Sequence, residues 1–146
     1  MSRKKVSQKR SFPILWIALA LLLIVGAVIV IPRLGAGNAT ATLPDEVSVT
    51  RAAELHDSGV MMLDVREPDE WNQAHIAGAV LIPLGELQSR LNEVPKDQPV
   101  VVYCRTGHRS ASGRDILKAA GYTNVTSMTG GITAWISQGL PTVNGP

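Results

Sequence analysis

The stretch 99–121 limits what this chain can fold into more than any other. Pro99 opens an apolar, largely β-branched run, Val100-Val101-Val102-Tyr103, with the composition of a strand buried on both faces. Cys104-Arg105-Thr106-Gly107-His108-Arg109-Ser110 follows at once, and residues 111–120 read as a helix closed by Gly121. The only cysteine in the protein therefore sits where a buried strand ends and a helix begins. In an open parallel α/β sheet that carboxyl edge is where ligands bind. The N–H groups of the turn and of the first helical turn point toward the sulfur and favour negative charge there. Arg105 and Arg109 add two formal positive charges. A thiol so placed is expected to have a depressed pKa and to be largely thiolate at neutral pH. A lone cysteine is more often an inert buried residue. An inert one, however, is not usually flanked by two Arg, a His, a Gly and two hydroxyls at a strand-to-helix turn.

The rest of the domain alternates around that unit. Val47-Ser48-Val49 reads as a short strand, and Thr50 as the cap of a helix over 51–58. Residues 60–65 read as a second buried strand, 68–73 as a helical turn with Pro68 at its start, and 79–82 as a third strand. A helix over 83–91 puts Leu84, Leu87 and Leu91 on one face, and the helix after Cys104 turns Ile116, Leu117 and Ala120 inward. Val125-Thr126-Ser127-Met128 is a last strand, and Gly130-Gly131 opens a helix running through Trp135 to Gln138. This alternation predicts an α/β fold, an open parallel sheet of about five strands covered by helices on both faces.

Ahead of the domain lies a segment of another kind. Residues 14–31 carry no charge or strongly polar side chain, and as a helix they span about 27 Å, close to the bilayer hydrocarbon thickness. Residues 1–11 hold five basic side chains and no acid. The sequence thus divides into a basic cytoplasmic tail (1–11), a transmembrane signal-anchor helix (12–32), a flexible linker (33–46) and the domain (47–146). The positive flank puts the N-terminus in the cytoplasm and the domain on the periplasmic or outer face. The alternative is a secreted domain released by cleavage near Ala39-Thr40-Ala41; the length of the apolar run favours the retained anchor. Without the tail, nine basic side chains face twelve acidic ones, a net charge of −3, so the overall +2 is a topology signal and no nucleic-acid footprint.

Other motifs weigh less. Asp64 and Arg66 end the second strand on the same edge as Cys104; they either support the mouth of the site or form an ion pair or turn cap with Glu67 or Glu70. Trp71 reads as core packing, His75 as a structural hydrogen-bonder, His56 as a surface helix residue and Gly130-Gly131 as a backbone turn. Three scattered His and one Cys give no metal-ligand spacing.

Three stretches, taken together, resemble the single-domain rhodanese-like sulfurtransferases. They are Leu63-Asp64-Val65-Arg66-Glu67-Pro68-Asp69-Glu70-Trp71 with His75-Ile76-Ala77-Gly78-Ala79; Val102-Tyr103 with the Cys104–Ser110 loop; and Gly130-Gly131-Ile132-Thr133-Ala134-Trp135 with Gly139-Leu140-Pro141. One departure is Ala74, where that family commonly has Gly before the His. The resemblance implies a double displacement. Cys104 takes the outer sulfur of a thiosulfate-like donor as a persulfide and passes it to cyanide or a thiol. No cofactor beyond that covalent intermediate is implied, and the partners are small sulfur-containing anions and their acceptors. Arg105 and Arg109 then fit the donor's sulfonate by charge and by their donor forks. Thr106 and Ser110 supply hydroxyls, Gly107 a φ that other residues resist, and His108 a place at the rim. A membrane-tethered persulfide carrier or docking module needs the same loop and stays open beside the enzyme. A Cys-dependent phosphatase or arsenate reductase fits less well: such phosphatases place Arg six positions after Cys, and Arg109 is five after Cys104.

Overall fold

The computed structural model describes residues 42–145. Its elements run β1 (Glu46–Val47), α1 (Val49–Asp57), β2 (Met61–Asp64), α2 (Pro68–Gln73), β3 (Val80–Leu81), α3 (Leu84–Leu87), a 3-10 turn (Leu91–Glu93), β4 (Val100–Tyr103), α4 (His108–Ala119), β5 (Val125–Met128) and α5 (Gly131–Ser137). The five strands form one parallel sheet in the order β1-β5-β4-β2-β3. β2 leads outward to β3 on one side and β4 leads outward to β5 on the other. The chain therefore reverses direction across the sheet between β2 and β4, and a crevice opens at their carboxyl ends. Asp64 and Tyr103 are register partners there, so Val65, Arg66, Cys104 and Arg105 leave the sheet side by side.

β4 is buried along its whole length, which is why its sequence does not alternate. Val101 and Tyr103 face one layer with Leu55, Ile132 and Trp135 of α1 and α5. Val100, Val102 and Cys104 face the other with Leu87 and Leu117 of α3 and α4. The C-terminal segment is stitched to the turn after α2 and to α5: His75 and Val143 exchange N–H···O bonds of 2.8 and 2.9 Å, and Trp135 Nε1 donates to Pro141 O at 2.9 Å.

Several boundaries differ from the sequence reading. Ser48, not Thr50, caps α1, its Oγ accepting Arg51 N–H at 3.2 Å, so the first strand stops at Val47. Glu46 is also in β1, and Leu43 N–H donates to Asn124 Oδ1 at 2.9 Å. The helix expected over 83–91 is a single turn, Leu84–Leu87. Ser89 Oγ turns back onto Glu86 O at 2.8 Å, a local bond that competes with helix propagation. The Tyr122 hydroxyl, donating to Val94 O at 2.8 Å, then pins the chain that follows. Trp71 is half-buried rather than in the core and stacks on the His75 ring at 3.6 Å. His56 is half-buried too, with Nε2 2.9 Å from Ala77 O. Among the described residues no helix is long and apolar enough to cross a membrane; the anchor expected over 12–32 and its basic flank lie outside them.

Candidate active site

α4 begins at His108, three residues earlier than the sequence suggested, so His108, Arg109 and Ser110 are its first turn. The first N–H groups of a helix have no partner within it. Here they point back at the end of β4. Cys104 Sγ accepts the Gly107 N–H at 3.1 Å and lies 3.7 Å from Ser110 Oγ, which donates to Gly107 O at 2.8 Å. The sulfur is deep, Cys104 being 1% exposed. Burial pushes its thiol up, but the N–H groups of Ser110, Gly107 and Thr106 and the Ser110 hydroxyl outweigh that, and the net direction is down. The loop amides, more than the flanking arginines, carry this lowering. Alkylation of the native protein by iodoacetamide should accordingly rise with pH through a midpoint below the ordinary thiol value of about 8.5. The urea-unfolded chain should titrate at the ordinary value; coincident profiles would remove the amide ring as a stabiliser of the thiolate.

Two glycines build the loop. Gly107, at φ +113°, turns the chain into α4 with a backbone that other residues resist. Gly131 does something the sequence reading missed. It stands at φ +56°, and a Cβ there would lie 2.3 Å from Cys104 O and 2.5 Å from the Arg105 carbonyl. That close approach lets Ile132 N–H donate to Cys104 O at 2.8 Å and Thr133 N–H to Arg105 O at 3.1 Å, so the start of α5 holds the start of the loop. Gly131→Ala should cost about 3 kcal/mol or more in denaturant unfolding, from backbone strain and backbone overlap together. A loss under about 1 kcal/mol would mean that the loop shifts freely.

The charged residues are arranged differently from expectation. Asp64 and Arg66 pair with each other, not with the carboxylates of Glu67 or Glu70. Arg66 Nε lies 2.9 Å from both Asp64 oxygens, and Nη2 lies 2.6 Å from Oδ2, with both side chains buried. Arg66 also donates to Glu70 O at 3.2 Å and Ala74 O at 2.8 Å, fixing the end of α2. Arg109, expected to clamp the donor's sulfonate, is instead held by Glu70: Nη1–Oε2 is 2.6 Å and Nη2–Oε1 is 2.8 Å. The Arg109 guanidinium brings the Glu70 carboxyl down to about 2. Arg105, Thr106 and His108 are exposed along the rim, while Ser110 is buried. A cavity of about 250 Å³ opens beside the loop, lined by Arg66, Glu70, Gln73, Ala74, Arg105, Ile132, Thr133 and Ile136. The sequence offers Glu70 as an ion-pair or turn-cap partner close to Asp64 and Arg66. Its true partner lies 39 positions away, a pairing that no local pattern announces.

A buried cysteine ringed by amides at the switch point of a parallel sheet defines a nucleophile site for a soft, anionic atom. The Rhodanese-like domain family matches residues 48–138, and the chain belongs to that family. It is 41% identical over 93 residues to a protein named sulfurtransferase from Allochromatium vinosum, an alignment covering 64% of this chain and 85% of that one. It is 35% identical over 112 residues to "Thiosulfate sulfurtransferase 16, chloroplastic" of Arabidopsis thaliana, covering 68% and 93%. Among solved structures, a rhodanese-related protein from Thermoplasma volcanium superposes with a TM-score of 0.64 at 32% identity, covering 68% of this chain and 98% of that one. These relatives support a rhodanese-type transferase.

Proposed function

We propose that the domain moves a sulfane sulfur from a thiosulfate-like donor to a thiophilic acceptor, cyanide or a thiol, through a persulfide on Cys104. The observation that carries this reading is the 3.1 Å contact between Gly107 N–H and Cys104 Sγ, at the centre of a set of amides that lowers the thiol. The thiolate attacks the donor's outer sulfur. A sulfur–sulfur bond forms to Cys104, and the bond to the sulfonyl sulfur breaks, its electron pair leaving with sulfite. The persulfide is again an anion and keeps the same amide donors. Arg105, exposed at the rim, meets the sulfonate. The acceptor then attacks the outer sulfur and Cys104 leaves as thiolate. No cofactor takes part in this reading. The engagement of Arg109 with Glu70 supports sulfur over phosphoryl transfer, since the arginine that would cradle a tetrahedral ester is already held by a carboxylate.

Intact-mass measurement of the protein after thiosulfate treatment should show the gain of one sulfur, removed by cyanide with release of thiocyanate. No gain would overturn the reading. A gain that cyanide or thiols cannot discharge catalytically would make the protein a persulfide carrier. The basic tail and the apolar run over 14–31 support tethering through 12–32 with the domain on the outer face. Carbonate extraction of membranes, with protease accessibility of the domain, tests that placement.

A further inference from the structure

The cavity beside the loop has an uneven charge. Of the residues that line it, Arg66 is engaged by Asp64 at 2.6 Å, and Glu70 is engaged by Arg109 at 2.6 and 2.8 Å. Among the described residues, Arg105 is then the one cation at the mouth without a carboxylate partner. Ile132 and Ile136, the latter 50% exposed, supply an apolar part of the same wall. A dianion entering here meets one uncompensated positive charge and leaves the apolar wall unused. A monoanion carrying an apolar group matches both.

We propose that Glu70 is a specificity-determining residue. By cancelling the charge of Arg109 it leaves the mouth with a single free cation beside an apolar wall, so the site selects sulfur donors with one negative charge and an apolar group over dianionic donors. This deepens the sulfurtransferase reading and rests on it. An organic thiosulfonate has the required form. Cys104 thiolate attacks its outer sulfur, the new sulfur–sulfur bond forms, and the bond to the sulfonyl sulfur breaks with its electron pair leaving on the sulfinate. The transferred sulfur keeps its oxidation level and no proton moves, so no further oxidant or reductant is needed.

The test compares kcat/KM for benzenethiosulfonate and for thiosulfate, with cyanide as acceptor, in the wild-type protein and in Glu70→Gln. The preference for the aromatic monoanion should fall by about tenfold in the variant, through a lower KM for thiosulfate, as a released Arg109 charge favours the dianion. Arg109→Gln should move the ratio about tenfold the other way, because Glu70 is then left unopposed. The double variant Glu70→Gln/Arg109→Gln should return to within about twofold of wild type, which a merely structural role for Glu70 would not produce. A second readout needs no sulfur transfer: the concentration of sulfate that half-protects Cys104 from iodoacetamide should drop about tenfold in Glu70→Gln, while that of benzenesulfonate changes little. Ratios and protection that stay the same across these variants would overturn the role of Glu70 even where Cys104 gains sulfur. Absence of any sulfur gain would instead overturn the sulfurtransferase reading.

Discussion

Cys104→Ser treated with thiosulfate is expected to gain no sulfur and, with cyanide present, to form thiocyanate no faster than buffer. The fall is complete because the hydroxyl stays protonated at neutral pH and its oxygen cannot serve as the leaving atom in the second step. The fold should survive, because the substitution is nearly isosteric and exchanges one small polar group for another. Denaturant unfolding should therefore change by no more than about 1–2 kcal/mol. A variant that kept catalytic turnover would move the chemistry to another residue and leave the amide ring without its role.

The second large effect falls on stability. Asp64 is 0% exposed, and its carboxylate accepts the Arg66 backbone N–H at 3.0 Å as well as the guanidinium. Asp64→Ala would leave a guanidinium buried with only the Glu70 and Ala74 carbonyls for partners. The expected cost in unfolding free energy is about 3–5 kcal/mol. Replacing both partners, as Asp64→Leu/Arg66→Met, should cost much less, because no charge is then stranded. If Asp64→Ala unfolds within about 1 kcal/mol of wild type, the pair is not a support of the mouth. In a stable enough background Asp64→Ala should also disturb donor binding, since Arg66 anchors the end of α2 and α2 carries Glu70.

Much of the scaffold is legible in the chain because its signals are local. β4 and β5 have the bounds that Val100-Val101-Val102-Tyr103 and Val125-Thr126-Ser127-Met128 suggest, and α2 runs as Pro68 and the acids after it imply. The nucleophile is legible for the same reason: a strand end, a glycine turn and a helix start are contiguous in sequence. What could not be read depends on contacts across the fold. Arg109 looks like a free anion clamp until Glu70, on another helix, is brought beside it. Gly131 looks like an ordinary turn until the sheet sets it against the Cys104 carbonyl. Asp64 and Arg66 look like partners of their immediate acidic neighbours, whereas the bend after β2 closes them on each other and beneath the Tyr103 side of the sheet, with the guanidinium 5.8 Å from that ring.

The depth of Cys104 has a bearing on regiochemistry. A persulfide offers an incoming nucleophile two electrophilic atoms. Attack on the inner one would expel hydrosulfide and leave the acceptor bonded to Cys104, a thiol as a mixed disulfide or cyanide as a thiocyanate, ending the cycle. In the proposed persulfide the inner atom is the buried Cys104 sulfur, 1% exposed, and the terminal atom stands about 2 Å from it, so the terminal atom is the one an incoming group is expected to meet first.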